Sequence, residues 1–184
     1  MSISQPHVRP IKRGKAAAET EFGAKVAISL VDGDACIDKL CWDNFNEEAC
    51  LEQAIQSYHR RYGYYPESVI GDRIYNNRGN RAYCKQLGIR LSGPRLGRPK
   101  ADETKADKRQ AYEDSCIRNA VEGEFGVGKR KYGLGRIMAK LPKTSEAVIA
   151  MHFFVMNMER RLRLLFVLIF KWLIGSLGRL KLAA

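Results

Sequence analysis

Residues 65–93 read YPESVIGDRIYNNRGNRAYCKQLGIRLSG and decide the fold of this chain. The short apolar run 68–70 predicts a buried strand, residues 77–87 predict a short helix closed by Gly88, and residues 89–91 predict a second strand. A helix that joins two short strands is typical of a parallel β-α-β unit. We therefore predict an α/β fold.

An antiparallel hairpin and a further helix are predicted upstream of this unit. Apolar residues alternate with others over 22–30, and Asp32-Gly33 is typical of a tight turn into a second strand over 35–42. Asn46 predicts the N-cap of a helix, and the basic stretch before Gly63 ends it. The first half of the sequence is therefore predicted to contain a hairpin followed by a helix.

Basic segments flank these elements on both sides. Residues 1–20 predict an extended basic arm, and residues 93–107 predict a basic loop without apolar periodicity. A helix is expected to follow over 108–122 or 108–125, where three glycines up to Gly128 should weaken it.

A second long helix is predicted to start at Thr144 or Ser145, either of which can act as its cap. Its later part, Leu164–Ile174, is nearly all apolar but holds Lys171, and it falls short of the ~20 residues that span a bilayer. We expect a buried or partner-facing helix. A peripheral membrane helix over 162–180 is the open alternative.

Composition favours one soluble domain that meets a polyanion. The 184 residues are 45% hydrophobic, and 32 Lys and Arg against 20 Asp and Glu give a net charge of +12. Nucleic acid is the first candidate partner and a membrane surface the second. The five cysteines have no CxxC spacing, which indicates neither a zinc site nor a disulfide framework, and no signal peptide is recognisable. We expect a cytoplasmic protein.

Asp72 and Glu122 form the candidate metal site. Asp72 follows the apolar run 68–70, and Glu122 lies in a basic stretch with Arg118 one helical turn before it and Lys129 two turns after it. Carboxylates placed in this way can hold Mg²⁺ and polarise a phosphodiester. The alternatives are a surface ion pair between Arg118 and Glu122, and a turn or cap role for Asp72.

Other patterns favour structural roles. Residues 123–129 match the start of a phosphate-binding loop, but Arg130 stands where Ser or Thr is needed. Asp32 and Asp34 fit ordinary hairpin chemistry better than a metal site. The three histidines are scattered, and His152 lies in an apolar helix.

Three stretches resemble the C-terminal half of bacterial insertion-sequence transposases of the DDE type, and they occur in the same order. They are residues 65–80, 88–99 and 118–136, and the resemblance as a whole spans roughly 5 to 170. It implies a partial RNase H-like fold with a catalytic core over 21–142 and a C-terminal helical region over 143–184.

The resemblance also implies roles for the candidate site. In that family two aspartates and one glutamate hold two Mg²⁺ ions for hydrolysis and strand transfer, and Mn²⁺ can stand in for Mg²⁺. Asp72 resembles the second aspartate and Glu122 the glutamate. The C-terminal signature of Tyr, Arg, Glu and Lys is matched at Arg118, Glu122 and Lys129, whereas Ser115 occupies the tyrosine position.

We expect the first aspartate of such enzymes to have no counterpart in this sequence. It would lie on a strand upstream of 22–30, where this chain has only the basic arm. Two carboxylates without it predict weak metal binding and no independent catalysis. We therefore expect a truncated transposase that needs an upstream-encoded fragment or a full-length transposase. The alternative is a non-catalytic DNA-binding remnant that acts as an inhibitor or has no function.

DNA is the expected partner, and neither a small-molecule substrate nor a membrane is expected. The basic residues expected to contact DNA phosphates are Arg118, Lys129, Arg130, Lys131, Arg136, Arg95, Arg98 and Lys100.

Overall fold

The computed structural model describes residues 5–8, 10–15, 18–93 and 104–182. Its strands and helices are, in chain order, β1 (Pro10–Lys15), β2 (Ala18–Phe22), β3 (Lys25–Val31), β4 (Asp34–Cys41), α1 (Cys50–Tyr62), β5 (Ser68–Ile70), α2 (Arg78–Gln86), β6 (Arg90–Ser92), α3 (Lys105–Lys131) and α4 (Pro142–Leu182). Single 3-10 turns occupy Glu47–Ala49 and Arg73–Tyr75. The α/β class is confirmed, and the order of elements agrees with a partial RNase H-like fold.

The predicted hairpin consists of β3 and β4. Its two-residue turn places Asp32 at φ 52° and Gly33 at φ 83°, and Val31 pairs with Asp34. Positive φ at both turn residues matches the twist of the flanking strands, which explains the Asp-Gly sequence.

The helix predicted after Asn46 is also confirmed. Asn46 Oδ1 accepts a hydrogen bond from the Glu48 backbone N–H at 3.3 Å, and α1 follows one 3-10 turn later. Gly63 ends the helix at φ 80°, where its N–H donates to His59 O at 2.8 Å. Glycine has no Cβ to clash in this left-handed conformation.

The β5-α2-β6 unit has the predicted parallel pairing. Ser68 lies opposite Arg90, and Ile70 lies opposite Ser92. Asn77 caps α2 by accepting from the Asn80 N–H at 2.8 Å. The carboxyl ends of β5 and β6 therefore meet at one edge of this small sheet.

Two apolar clusters stabilise the fold. Full burial of a Leu, Ile, Phe or Met side chain contributes roughly 1.5–3 kcal/mol. In the first cluster α4 packs on the β3–β4 hairpin around Ala35, Ile149, Phe153 and Met156. In the second, α1, α2 and β6 enclose Leu51, Ile55, Cys84 and Ile89. The second cluster lies under the β5-α2-β6 unit and so supports the strand ends.

Part of the expected basic arm is a hairpin. β1 pairs antiparallel with β2, with Ile11 opposite Glu21 and Lys12 opposite Thr20. Ile11 is 5% exposed and anchors an otherwise basic strand. A single buried apolar residue produces no periodicity, which is why the sequence pattern did not indicate this strand.

α3 begins earlier than predicted. Thr104 Oγ1 accepts from the Asp107 N–H and the Asp107 carboxylate accepts from the Thr104 N–H, each at 3.1 Å, so the two residues form a capping box. The expected loop over 93–107 therefore gives way to helix at Lys105. Residues 94–103 of that loop lie outside the described residues.

The prediction that α3 ends at Glu122 or Phe125 is wrong, because the helix continues through its glycines to Lys131. Gly128 is buried, and a Cβ at that position would lie 3.0 Å from Leu134 Cδ2 and 3.3 Å from Met156 Sδ. Close packing against α4 outweighs the helix cost of about 0.5–1 kcal/mol for each glycine.

α4 begins at Pro142, so neither Thr144 nor Ser145 is its cap. Proline suits the first turn of a helix, where its missing N–H has no intrahelical acceptor. The Thr144 hydroxyl donates to Leu141 O and the Ser145 hydroxyl to Ala139 O, each at 2.9 Å. Both hydroxyls therefore hold the preceding loop.

Polar contacts bind α4 to the outer edge of β4. Asn157 accepts from Ala35 N–H and donates to Ala35 O, both at 2.8 Å. Arg160 and Arg161 contact the Asp34 carboxylate at 3.1 and 2.6 Å. Asp34 is thus an anchor for the hairpin turn, in agreement with the structural interpretation of that residue.

The apolar part of α4 is exposed. Large apolar side chains from Leu162 to Ile174 are 41–70% exposed, so the expectation of a segment buried within this chain is wrong. Contact with a partner stays a prediction. Among the described residues no helix has the length and apolar character needed to cross a membrane.

Candidate catalytic site

Asp72 lies two residues after the end of β5 and presents its carboxylate to solvent. The Gly71 N–H donates to Ser92 O at 2.9 Å, which extends the β5–β6 pairing by one residue. The Asp72 carbonyl accepts from the Tyr75 N–H at 3.0 Å, but the Asp72 side chain makes no capping bond. The side chain is 65% exposed. The cap role considered for this carboxylate is therefore not observed.

The chain segments that follow β5 and β6 approach each other closely. A Cβ at Gly93 would lie 2.8 Å from Gly71 O. A larger residue at Gly93 would push this backbone away and displace Asp72 with it. Glycine at position 93 thus keeps the strand ends together.

Asp114 attaches α3 to β6. It is 5% exposed and accepts two hydrogen bonds from the Arg90 guanidinium, at 2.7 and 3.1 Å. Gln110 also donates to it at 3.1 Å, and the Ser92 hydroxyl donates to it as well. Hydrogen bonding from Arg90, assisted by Ser92 and Gln110, lowers the pKa of Asp114 to about 2.

This attachment brings Arg118 to Asp72. Asp114 precedes Arg118 by one turn, and Arg118 Nε lies 3.5 Å from Asp72 Oδ1. Glu122 follows one further turn, about 6 Å along the same side of the helix, and is exposed. Among the described residues Arg118 forms an ion pair with Asp72 and none with Glu122. The structure therefore joins the strand end to the helix face that carries Glu122.

Residues 69–159 match the family model of the transposase DDE domain. This stretch of 91 of the 184 residues is similar to that domain. The match runs from β5 into α4 and includes Asp72, Arg118 and Glu122. The search of curated proteins and the search of solved structures each found no match.

Sequence reasoning missed Asp114 as the residue that positions the helix carrying Glu122. The available signal was its i, i+4, i+8 spacing with Arg118 and Glu122, which places the three on one side of α3. Arg90 and Ser92 are distant in sequence, so their bonds to Asp114 had no local signature.

The predicted DNA-contacting residues that the structure describes lie in three places. Lys129, Arg130 and Lys131 are exposed in the last turn of α3, and Arg136 is exposed in the loop after it. Cations also suit the negative end of a helix dipole, which is their structural role. Arg118 is half-buried beside Asp72. Arg95, Arg98 and Lys100 lie outside the described residues.

Among the described residues the candidate metal site is incomplete. These residues contain no group of three His, Cys, Asp or Glu side chains that could hold an ion. The Asp114 oxygens already accept bonds from Arg90, Ser92 and Gln110, and Asp72 faces Arg118. Asp72 and Glu122 are two exposed carboxylates, whereas a two-ion site needs a bridging carboxylate as well.

The remaining sequence motifs have structural roles. Residues 123–130 are helical, so they do not form a phosphate-binding loop. The His152 ring lies 2.6 Å from Val148 O within α4. Cysteines 36, 41, 50, 84 and 116 are free thiols.

Proposed function

We propose that this chain supplies Asp72 and Glu122 as the second and third carboxylates of a DDE transposase site and binds DNA beside them. The contact between Asp72 and Arg118 is the observation that carries this proposal, since it brings the end of β5 to the turn of α3 that precedes Glu122. Transposition is the process the family match supports, and DNA is the partner it implies.

The proposed roles follow from exposure and charge. Asp72 and Glu122 are exposed carboxylates that can coordinate a divalent ion. DDE transposases generally use such ions, and we expect Mg²⁺ or Mn²⁺ here. Arg118 holds Asp72 in place and can turn to a phosphate. Lys129, Arg130, Lys131 and Arg136 form a basic end of α3 that suits the DNA backbone. A two-ion site needs a bridging carboxylate in addition to Asp72 and Glu122.

DNA binding and nicking by the purified chain test this proposal. With Mg²⁺ or Mn²⁺ present, we expect salt-sensitive binding to duplex DNA without nicking, because among the described residues no third carboxylate joins Asp72 and Glu122. Glu122→Gln should leave binding unchanged, as should the control Glu113→Gln on the same helix. Failure to bind DNA would refute the proposal. Nicking that Glu122→Gln alone abolishes would show that no further carboxylate is needed.

A non-catalytic DNA-binding protein is the second candidate. It is favoured by the absence of a three-ligand group among the described residues. A mixing experiment distinguishes the catalytic from the non-catalytic candidate. The chain is mixed with a related intact transposase whose own catalytic glutamate has been replaced. Restored nicking that Asp72→Asn or Glu122→Gln removes supports a catalytic contribution. The non-catalytic candidate is supported if the wild-type chain inhibits the active intact enzyme and both variants inhibit it to the same extent.

A further inference from the structure

A basic cleft lies between α2 and β6, outside the site formed by Asp72 and Glu122. Its volume is about 440 Å³. Its lining contains three cations and no carboxylate. Its main lining residues are Asn76, Arg81, Cys84, Lys85, Ile89 and Arg90. We call it the α2–β6 cleft.

The charges of the three cations are compensated unequally. Arg90 forms two hydrogen bonds with the buried Asp114 carboxylate, so its charge is balanced. Arg81 Nε donates to Asn76 Oδ1 at 2.7 Å, and an amide oxygen carries no net charge. Lys85 is exposed and has no carboxylate partner among the described residues. Among the described residues, therefore, no carboxylate balances the charge of Arg81 or of Lys85.

These two charges lie on one face of one helix. Arg81 and Lys85 are spaced i,i+4, which places their side chains one above the other on α2. The sequence has no Asp or Glu from Arg73 to Ala101, so no nearby acid along the chain balances them. An anion with several oxygens is the ligand that this arrangement suits.

The cleft is physically connected to the proposed DNA-binding site. Arg90 lines the cleft, and its partner Asp114 lies one turn before Arg118 on α3. A DNA backbone has phosphates at regular intervals, so a cationic cleft joined to α3 in this way suits a further backbone contact.

We propose that the α2–β6 cleft binds a phosphate group of DNA through Arg81 and Lys85. This assignment rests on the proposed DNA-binding function and adds a second contact region to it. The interaction is with the backbone, so it raises affinity for duplexes of any sequence.

Salt-dependent DNA binding tests the cleft. Fluorescence anisotropy of a labelled duplex is measured over a range of salt concentrations for the chain, Arg81→Gln/Lys85→Gln and the control Arg60→Gln/Lys108→Gln. The control removes the same charge from exposed side chains that do not line the cleft. We expect the cleft variant to reduce the slope of log K against log salt by about two, and the control to leave it unchanged. Circular dichroism establishes that both variants fold.

The possible results separate the cleft from the proposed function. If the unchanged chain binds no DNA, the proposed function fails. If it binds DNA and the cleft variant has the slope of the control, the cleft assignment fails. Inorganic pyrophosphate is the second arm. A pyrophosphate-induced rise in melting temperature that requires Arg81 and Lys85, with an unchanged DNA slope, would assign the cleft to a small phosphate compound.

Discussion

Asp114 holds the candidate catalytic helix in place, so stability should depend on its charge. Its pKa is lowered to about 2, first by hydrogen bonds from Arg90, from an unfolded value of 3.8. A lowered folded pKa stabilises the fold above about pH 4, and this contribution is lost as the pH falls towards 2. We predict that Asp114→Asn lowers the free energy of unfolding by roughly 1–3 kcal/mol at neutral pH. Urea unfolding at several pH values measures both effects.

The neighbouring Glu113 provides the control for this prediction. It is an exposed partner of Arg109 at i,i+4, so Glu113→Gln should change stability by less than about 0.5 kcal/mol. The difference in free energy of unfolding between Asp114→Asn and the wild-type chain should shrink as the pH falls from 4 to 2. A constant difference over that range would contradict the assigned role of the carboxylate charge.

At the scale of elements, Gly128 permits α3 and α4 to pack closely. A side chain there would meet Leu134 and Met156, whereas a Cβ at Gly123 has no heavy atom within 4 Å. We predict that Gly128→Val destabilises the fold by about 1–3 kcal/mol because it overpacks the contact. Gly123→Val is the matched control and should be neutral or slightly stabilising. Equal effects in thermal unfolding would refute the packing role of Gly128.

The elements that were predicted correctly from the sequence are those with local sequence signals. Asp32-Gly33 has the backbone freedom that a two-residue turn requires, and Asn46 and Asn77 cap their helices through nearby N–H groups. Prediction failed where distant residues decide. α3 continues through Gly128, which packs against Met156 of α4, and no local pattern reports that contact.

The candidate site was likewise predicted only in part from the sequence. The motifs pointed to Asp72, Arg118 and Glu122, and the structure places Asp72 against Arg118. Their catalytic roles stay predictions. The attachment through Asp114 depends on β6 reaching α3, which follows from the packing of the sheet and not from the spacing of residues in the chain.

At the scale of the whole molecule, the exposed apolar part of α4 should govern association. Apolar side chains occupy every position from 162 to 174 except Arg163 and Lys171, a larger exposed apolar surface than soluble monomers commonly carry. We predict concentration-dependent association in sedimentation velocity, because contact between copies removes this surface from water. Leu165→Gln/Leu168→Gln should weaken the association.

A control with two other exposed apolar residues tests whether association depends on this part of α4. Met138 and Leu141 are 71% and 66% exposed in the loop before α4, so Met138→Gln/Leu141→Gln is a matched control and should leave association unchanged. Equal effects of the two pairs would mean that association does not depend on α4. If the chain stays monomeric but sediments with anionic liposomes, and Leu165→Gln/Leu168→Gln prevents this, the apolar surface binds lipid and the self-association prediction is wrong.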